Sequence, residues 1–174
     1  MSFVKKSHGS GCNPGYFLAD DDDCVLETRE FAENSALVKT TEGGGKYVPT
    51  GTAYPTNDGN AIGITYENVE VTDGNMPGSV VTKGVVYEGR LAITGDSYDA
   101  VTPSSGDNPA EKGWYERSGS AGAYVYTLTD DTTVQDGTTY YAKTIIKLAP
   151  AAKTALAALG FKFVAEPTVT RPES

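Results

Sequence analysis

The side chains best suited to catalysis or metal binding are few and lie near the start of the chain. The single histidine, His8, precedes Cys12, and a second cysteine, Cys24, follows a run of four aspartates, Asp20 to Asp23. His8 and the two cysteines would supply three zinc ligands, but their spacing matches no common zinc motif and a fourth ligand is missing. A thiol nucleophile with His8 as its base would lack a rigid scaffold. The sequence therefore predicts no metal site and no enzyme.

The acidic run and the glycine-rich stretch are candidates for calcium-binding and phosphate-binding loops. The run Asp20 to Asp23 has neither the alternating ligands nor the glycine bend and distal glutamate of an EF-hand, so it is interpreted as a solvated charge run. The stretch Gly43-Gly44-Gly45-Lys46 is not followed by a helix at the spacing of a phosphate-binding loop, which favours a turn. No cofactor is predicted.

A second group of side chains is aromatic and lies in the middle of the chain. Trp114, Tyr115, Tyr124 and Tyr126 fall within 13 residues of sequence, and Tyr140 and Tyr141 follow in the same region. Aromatic faces suit pyranose rings and tyrosine adds a polar edge, so these residues are a candidate surface for a glycan or a protein partner. The alternative is that they form the small core of a β insertion, and the sequence leaves both interpretations open.

Composition and charge exclude several classes of partner. The chain has 174 residues, a net charge of -9 and a pI near 4.5, so phosphate backbones and anionic lipids would repel it. The sequence contains no apolar run long enough to span a bilayer, and no apolar segment follows the basic start, so no secretory signal is expected. We expect neither nucleic acid nor membrane as a partner, and synthesis in a reducing cytoplasm.

The pattern predicts a mainly β chain with four segments. Runs of β-branched and aromatic residues broken by 20 glycines and 9 prolines predict short strands, closing into a small barrel or sandwich that hides its edges. Pro150 and the alanine-rich stretch up to Gly160 predict one short helix. Asp136-Gly137 predicts a hairpin between the strands on either side of it. The segments are an extended N-terminal arm (1–24), a β domain (25–94 together with 144–166), an inserted β subdomain (95–143) and a C-terminal tail (167–174).

Short motifs follow one another in order along the β domain. They are Gly44-Gly45-Lys46-Tyr47-Val48-Pro49, Ala61-Ile62-Gly63-Ile64, the turn Asp73-Gly74, Val80-Val81-Thr82-Lys83-Gly84-Val85-Val86, and a final Ala155-Leu156-Ala157-Ala158-Leu159-Gly160-Phe161-Lys162-Phe163. In this order the chain resembles the lambda-type phage head decoration proteins. The resemblance covers roughly residues 30–93 and 144–165 and implies a small barrel-like, or β-tulip-like, domain with a short C-terminal helix.

The resemblance also implies a function without turnover. Members of that family bind the outside of the expanded capsid, commonly as homotrimers, and their N-terminal arms pair with segments of the major capsid protein. It therefore implies a virion protein on the outer capsid surface that stabilises the shell against the pressure of packaged DNA. The arm residues expected to contact the capsid are Phe3, Val4, Lys5, Tyr16, Phe17 and Leu18.

The inserted subdomain departs from that family. Its stretch from Asn108 to Glu116 and the segments 126–134 and 137–141 are similar to a module in structural proteins of phages that infect Gram-positive hosts. The alternative function is therefore a head fibre or virion-surface module that binds host-surface glycans through the aromatic insertion. A hydrolase is a weaker alternative, because no set of catalytic residues can be assembled from the sequence.

Overall fold

A computed structural model describes residues 14–20 and 22–167 and divides the chain into two compact units. The main unit runs to Thr94 and resumes at Lys147, and the inserted unit is Gly95–Ile146. The inserted unit thus ends three residues beyond the position predicted from sequence, because one long strand continues to its boundary. Strands dominate both units and there is one short α-helix among the described residues, which confirms the mainly β class.

The elements are short, as the frequent glycines and prolines predict. In the main unit they are β1 (Val25–Phe31), β2 (Lys39–Thr40), β3 (Lys46–Val48), β4 (Ala53–Tyr54), β5 (Gly63–Thr65), β6 (Val69–Glu70), β7 (Met76–Lys83), β8 (Val85–Tyr87) and a 3₁₀ turn (Glu88–Arg90). The inserted unit contains β9 (Gly95–Ala100), β10 (Tyr115–Ser118), β11 (Val125–Leu128) and β12 (Tyr140–Ile146). The main unit then finishes with α1 (Pro150–Ala158) and β13 (Lys162–Val164).

Three sheets build the main unit. An antiparallel sheet has the order β1-β7-β5-β4, a smaller one has the order β2-β3-β6, and β13 pairs in parallel with β8. A parallel pair requires a crossover connection, and α1 lies in the connection between β8 and β13. Among the residues that the structure describes no sheet closes on itself, so the expected barrel is not seen.

The core of the main unit lies on both sides of β7. Consecutive strand residues point to opposite faces, so Val80 and Val81 enter two different apolar clusters. Val81 packs in the helix-side cluster with Ile64 and Leu156, and Val80 packs in the strand-side cluster with Phe31. The remaining buried members of the helix-side cluster are Phe17, Leu18, Ala53, Ala61, Val86, Leu91, Ala152 and Phe161, and those of the strand-side cluster are Val48, Val69 and Val71.

The short helix is fixed by its two ends. Pro150 occupies the first turn, where its missing N–H costs nothing. After Leu159, Gly160 adopts a φ of 99°, and the N–H groups of Gly160 and Phe161 donate to the carbonyls of Ala157 and Leu156 at 3.0 and 3.1 Å. This pair of bonds is the Schellman arrangement, which ends the helix and turns Phe161 into the core.

Asn57 ties together the two ends of the main unit between which the insertion lies. Its side-chain N–H donates to Thr94 Oγ1 at 2.8 Å, and its oxygen accepts from the N–H of Ala149 at 2.9 Å. The Thr94 hydroxyl donates to the carbonyl of Lys147 at 3.2 Å. The chain therefore leaves and rejoins the main unit through one hydrogen-bonded junction.

The inserted unit is one antiparallel sheet with the order β11-β10-β12-β9. Its first and last residues, Gly95 and Ile146, are register partners of β9 and β12. The strands on either side of Asp136-Gly137, β11 and β12, are not neighbours, because β10 lies between them. The hairpin predicted at Asp136-Gly137 was therefore wrong.

Candidate functional site

The segment from Pro14 to Ala19 lies on the main unit. Gly15 donates its N–H to the carbonyl of Tyr66 at 2.7 Å, and Ala19 donates to Val85 at 2.8 Å. Tyr87 returns a bond from its N–H to the carbonyl of Phe17 at 2.8 Å. The segment thus runs beside β8 as an additional short antiparallel partner, with Leu18 opposite Val86.

Burial of this segment corrects the prediction for Tyr16, Phe17 and Leu18 as capsid contacts. Phe17 is 0% exposed and Leu18 is 7% exposed, and both belong to the helix-side cluster. An apolar cluster that would be wasteful on a free tail is buried in the chain's own core, so these side chains do not present a surface to a partner. Tyr16 is half-buried against the same cluster, and Phe3, Val4 and Lys5 lie outside the described residues.

Gly15 is needed for this docking. It has a φ of 68°, and a Cβ at this position would lie 2.4 Å from Cε2 of Tyr66. A side chain would therefore clash with the Tyr66 ring as well as strain the backbone. The glycine in this turn therefore allows the backbone of the arm to pack closely against Tyr66 of the main unit.

Four tyrosines share one face of the inserted sheet. Register partners point to the same face, and Tyr115 is opposite Tyr141, Arg117 opposite Tyr126, and Lys143 opposite Tyr98. Alternation along each strand then places all of these side chains on one side. We call the surface formed by Tyr98, Tyr115, Tyr126 and Tyr141 the tyrosine face.

Ring contacts fix the geometry of the tyrosine face. The rings of Tyr98 and Tyr126 are parallel, 3.9 Å apart between centroids with an interplanar angle of 6°. Tyr115 meets Tyr98 edge to face at 5.2 Å, and Tyr141 meets Tyr126 in the same way at 5.3 Å. Both geometries are favourable for aromatic pairs, so the rings hold one another in place.

Charged groups border the tyrosine face. The Arg117 guanidinium lies 4.2 Å from the ring centroid of Tyr124 and 4.9 Å from that of Tyr141. Lys143 Nζ forms an ion pair with Asp96 at 2.8 Å. The hydrogen bond to Asp96 raises the pKa of Lys143, so its ammonium stays charged throughout the neutral range.

The opposite side of the same sheet is covered by loop residues around Tyr140, and we call it the covered face. Tyr140 is fully buried there, its hydroxyl donates to Asp131 Oδ2 at 2.5 Å, and it accepts the N–H of Gln135 at 3.1 Å. Burial raises the pKa of Tyr140, with the Asp131 carboxylate adding to the effect. Trp114 packs on Tyr140 with ring centroids 5.8 Å apart. This face is the small aromatic core of the unit.

The aromatic residues predicted as one surface are therefore divided between the two faces of the sheet. Tyr115 and Tyr126 lie on the tyrosine face and Tyr124 lies beside it under Arg117, whereas Trp114 belongs to the core of the covered face. Neighbouring strand residues point to opposite sides, which separates Trp114 from Tyr115. Tyr141 also lies on the tyrosine face and Tyr140 on the covered face. The sequence prediction omitted Tyr98, which joins the surface only through the pairing of β9 with β12.

The groups weighed as catalytic or metal-binding residues have no assembled site in the described part of the chain. There, no three His, Cys, Asp or Glu side chains are placed to hold a metal ion. Asp20, Asp22 and Asp23 are exposed, and His8 and Cys12 lie outside the described residues. Nor is any helix among the described residues long and apolar enough to cross a membrane.

Comparison with known proteins gives no relative. No family model, no curated protein and no solved structure matches this chain.

Proposed function

We propose that this chain is a phage capsid decoration protein that binds the outer surface of the expanded major capsid lattice as a homotrimer and stabilises it. The observation that carries the proposal is the common packing of the motifs behind the resemblance. Val48, Ile64, Val81 and Leu156 come from four separate motifs, and all are fully buried in the two clusters of the main unit. The pieces that resemble the decoration proteins thus pack together in the two clusters on either side of β7.

The end of the chain adds to this support. After the alanine- and leucine-rich helix, Gly160 ends α1 and the chain returns as β13 beside β8. The order helix, glycine, strand is the ending that the resemblance implies. The finer fold, a β-tulip-like decoration domain carrying an insertion, is part of the proposal.

Capsid attachment is assigned to the part of the arm that precedes the docked segment. Residues 14–19 are used by the main unit itself, so the capsid contacts in this proposal are Phe3, Val4 and Lys5. A chain of this kind can add a strand to an exposed sheet edge, where main-chain hydrogen bonds provide affinity and apolar side chains provide specificity. Three arms on one trimer would multiply a modest contact by avidity.

The proposed mechanism is thermodynamic. A protein that binds only the expanded lattice stabilises that lattice by mass action and links neighbouring capsid subunits against outward pressure. The net charge of -9 is compatible with a position outside the shell, away from the packaged nucleic acid. The protein would be made in the host cytoplasm and end on the virion surface.

Co-sedimentation with empty shells of the cognate major capsid protein tests the proposal. The full chain should bind expanded shells saturably and unexpanded shells weakly. A variant lacking residues 1–13 should lose binding, and Phe3→Ala/Val4→Ala in the full chain should weaken it by roughly tenfold or more. The deletion stops before Pro14 because Phe17 and Leu18 are core residues.

The matched control is Ser2→Ala/Ser7→Ala in the same arm, which should bind like the unaltered chain. Thermal unfolding of every variant must match that of the unaltered chain, since the changes avoid the docked segment. Absence of binding by the full chain to either shell would overturn the proposal. Binding that survives the deletion would remove the role of the arm.

A further inference from the structure

The inserted sheet ends on one side at an unprotected edge strand. β11 is the outermost strand in the order β11-β10-β12-β9, and no strand in the described part of the chain pairs with its outer side. Natural sheets protect such edges with charged residues or proline, because unpaired N–H and C=O groups accept other strands. The segment from Gly119 to Thr129, which contains β11, has no charged residue and no proline.

The two longer edge strands elsewhere in the molecule carry that protection. β9, at the opposite edge of the same sheet, contains Asp96 and Asp99. In the main unit, the edge strand β1 contains Glu27, Arg29 and Glu30. Charge marks the edges that are kept free of other strands, so its absence from β11 favours an edge that is used for pairing.

The main chain of β11 directs alternate residues out of the sheet. The N–H of Thr129 donates to the carbonyl of Trp114 at 3.0 Å, so these two residues form a hydrogen-bonded pair. Such pairs alternate along an antiparallel ladder, and in the register of the two strands Tyr126 and Leu128 occupy the positions that do not bond to β10. Their N–H and C=O groups therefore point toward the open edge.

Apolar side chains are exposed along the same edge. Val125 is 58% exposed, Leu128 is 56% exposed and Tyr124 is 43% exposed. Val125 points to the covered face, whereas Leu128 points to the tyrosine face. A partner on one face would cover only part of this set, but a strand added at the edge would lie beside all three side chains.

Charges of opposite sign lie at the two ends of β11. At its start, the Arg117 guanidinium lies 4.2 Å from the ring centroid of Tyr124. Just beyond its end, Asp130 is exposed. If a second copy of the strand lies antiparallel to the first, the negative end of each copy comes beside the positive end of the other. This charge complementarity favours a second copy of the chain as the partner.

We propose that β11 pairs antiparallel with β11 of a second copy of this chain and joins the two inserted sheets into one continuous sheet. The two-fold axis of such a pair is perpendicular to the sheet, so the tyrosine faces of both copies lie on the same side. A register centred on Tyr126 pairs the stretch 124–128 with itself and uses the outward main-chain groups of Tyr126 and Leu128. Tyr124 then lies opposite Leu128 of the other copy, and Asp130 of that copy comes within reach of Arg117.

This inference goes beyond capsid attachment, because it concerns the inserted unit and needs no capsid protein. Sedimentation equilibrium of the full chain without shells, from about 10 µM to about 1 mM, tests it. The unaltered chain should associate reversibly beyond its smallest species, whether that species is one chain or the trimer proposed above. Leu128→Lys should weaken this association roughly tenfold or more, because it places an ammonium group on the paired edge.

Ile145→Lys is the matched control. Ile145 is 53% exposed and lies on the same face as Leu128, but its strand, β12, is an inner strand of the sheet. This variant should associate like the unaltered chain. Trp114 fluorescence against temperature verifies that each variant keeps the folded unit, since Trp114 packs on the covered face.

Charge reversal tests the antiparallel orientation. Arg117→Glu and Asp130→Lys should each weaken self-association about fivefold, because each variant brings like charges together at both ends of the paired strands. An equimolar mixture of the two variants should associate like the unaltered chain, because both ends of a mixed pair again join opposite charges.

Amide hydrogen exchange measured by NMR locates the contact on β11. At higher protein concentration the amides of Tyr126 and Leu128 should exchange more slowly, because they gain bonds across the new strand pair. The amide of Thr127 points toward β10, so its exchange should not depend on concentration.

Three outcomes would overturn the inference. One is an unaltered chain that stays at its smallest species up to about 1 mM, which would leave the edge to a strand of a different protein. Another is equal weakening in Leu128→Lys and Ile145→Lys, which would assign the association to the tyrosine face. The third is a mixture of the two charge variants that associates no better than either variant alone. Capsid binding is measured separately, so failure of one proposal leaves the other standing.

Discussion

Side chains alternate between the two faces of the sheets in both units, but the two units bury these faces differently. In the main unit both faces of the β1-β7-β5-β4 sheet bury aliphatic side chains, such as Val80 and Val81 on β7. In the inserted unit one face carries a small aromatic core around Tyr140, and the other leaves the tyrosine face half-buried. β7 therefore contributes side chains to two apolar clusters, whereas the inserted sheet has its buried aromatic residue on one face and leaves three tyrosines of the other face half-buried.

The two units can be followed separately in solution. Trp114 is the only tryptophan of the chain and lies in the inserted unit, so its fluorescence reports that unit. Hydrogen exchange of the β7 amides, measured by mass spectrometry, reports the main unit. Each substitution below is expected to affect one unit more than the other.

The largest effect is expected from Phe17→Ala. Phe17 is fully buried in the helix-side cluster, and removing its ring leaves a cavity, which costs about 3–5 kcal/mol of unfolding free energy. Urea unfolding measured by far-UV circular dichroism should show this loss, and exchange of the β7 amides should rise with it.

Asp20→Asn is the control, because Asp20 is exposed three residues away and its replacement should change the free energy of unfolding by no more than about 0.5 kcal/mol. A loss below about 1 kcal/mol in Phe17→Ala would mean that the docked segment is dispensable to the main unit.

A smaller effect, confined to the inserted unit, is expected from Tyr140→Phe. The change leaves Asp131 and the N–H of Gln135 without the hydroxyl that joins them. The thermal midpoint of Trp114 fluorescence should fall by about 4–8 °C. Tyr115→Phe on the tyrosine face should shift it far less, and equal shifts in the two variants would contradict the division into a covered face built around Tyr140 and an outer tyrosine face.

The smallest effect is a change in acid sensitivity. The hydrogen bond from Lys112 and that from the Ser104 N–H hold the pKa of Asp107 below its ordinary value of 3.8. Because the folded-state pKa is the lower one, the stabilisation is complete above pH 3.8 and is lost as pH falls further. Trp114 fluorescence should therefore show a smaller loss of thermal midpoint on acidification in Asp107→Asn than in the unaltered chain.

Asp58 offers the same comparison in the main unit. The N–H of Asn60 and the Thr56 hydroxyl, both at 2.7 Å, hold its pKa below 3.8. Asp58→Asn should flatten the acid response of β7 amide exchange and leave that of Trp114 fluorescence unchanged. The reverse pattern would show that the two carboxylates do not act within their own units.

Local signals predicted the elements better than their arrangement. Pro150 and Gly160 marked both ends of α1, because each acts through its own backbone. The strand β1 lacks a clear apolar pattern because Glu27, Arg29 and Glu30 interrupt it, and its pairing with β7 depends on residues some fifty positions away. Asp136-Gly137 does form a turn, with a φ of 79° at Gly137, but which strands are neighbours is decided by long-range pairing.

The candidate surface could be predicted only in part from sequence, because it also depends on which strands are neighbours. Tyr115 and Tyr126 could be chosen by composition, and alternation alone separates Trp114 from Tyr115. Adding Tyr98 requires the order β11-β10-β12-β9, which no short window of sequence contains. In the arm, Phe17 and Leu18 were predicted to contact the capsid, but the surface that receives them belongs to the chain itself.

The junction at Asn57 has a consequence for how such a chain can change over generations. Gly95 and Ile146 are strand partners, and Thr94 is hydrogen-bonded to Lys147 across the base, so a single splice would remove or replace everything between them. A gene could gain, lose or exchange this stretch while the clusters around β7 keep every buried contact. Under that arrangement, the inserted unit and the main unit become separately inherited modules carried on one polypeptide.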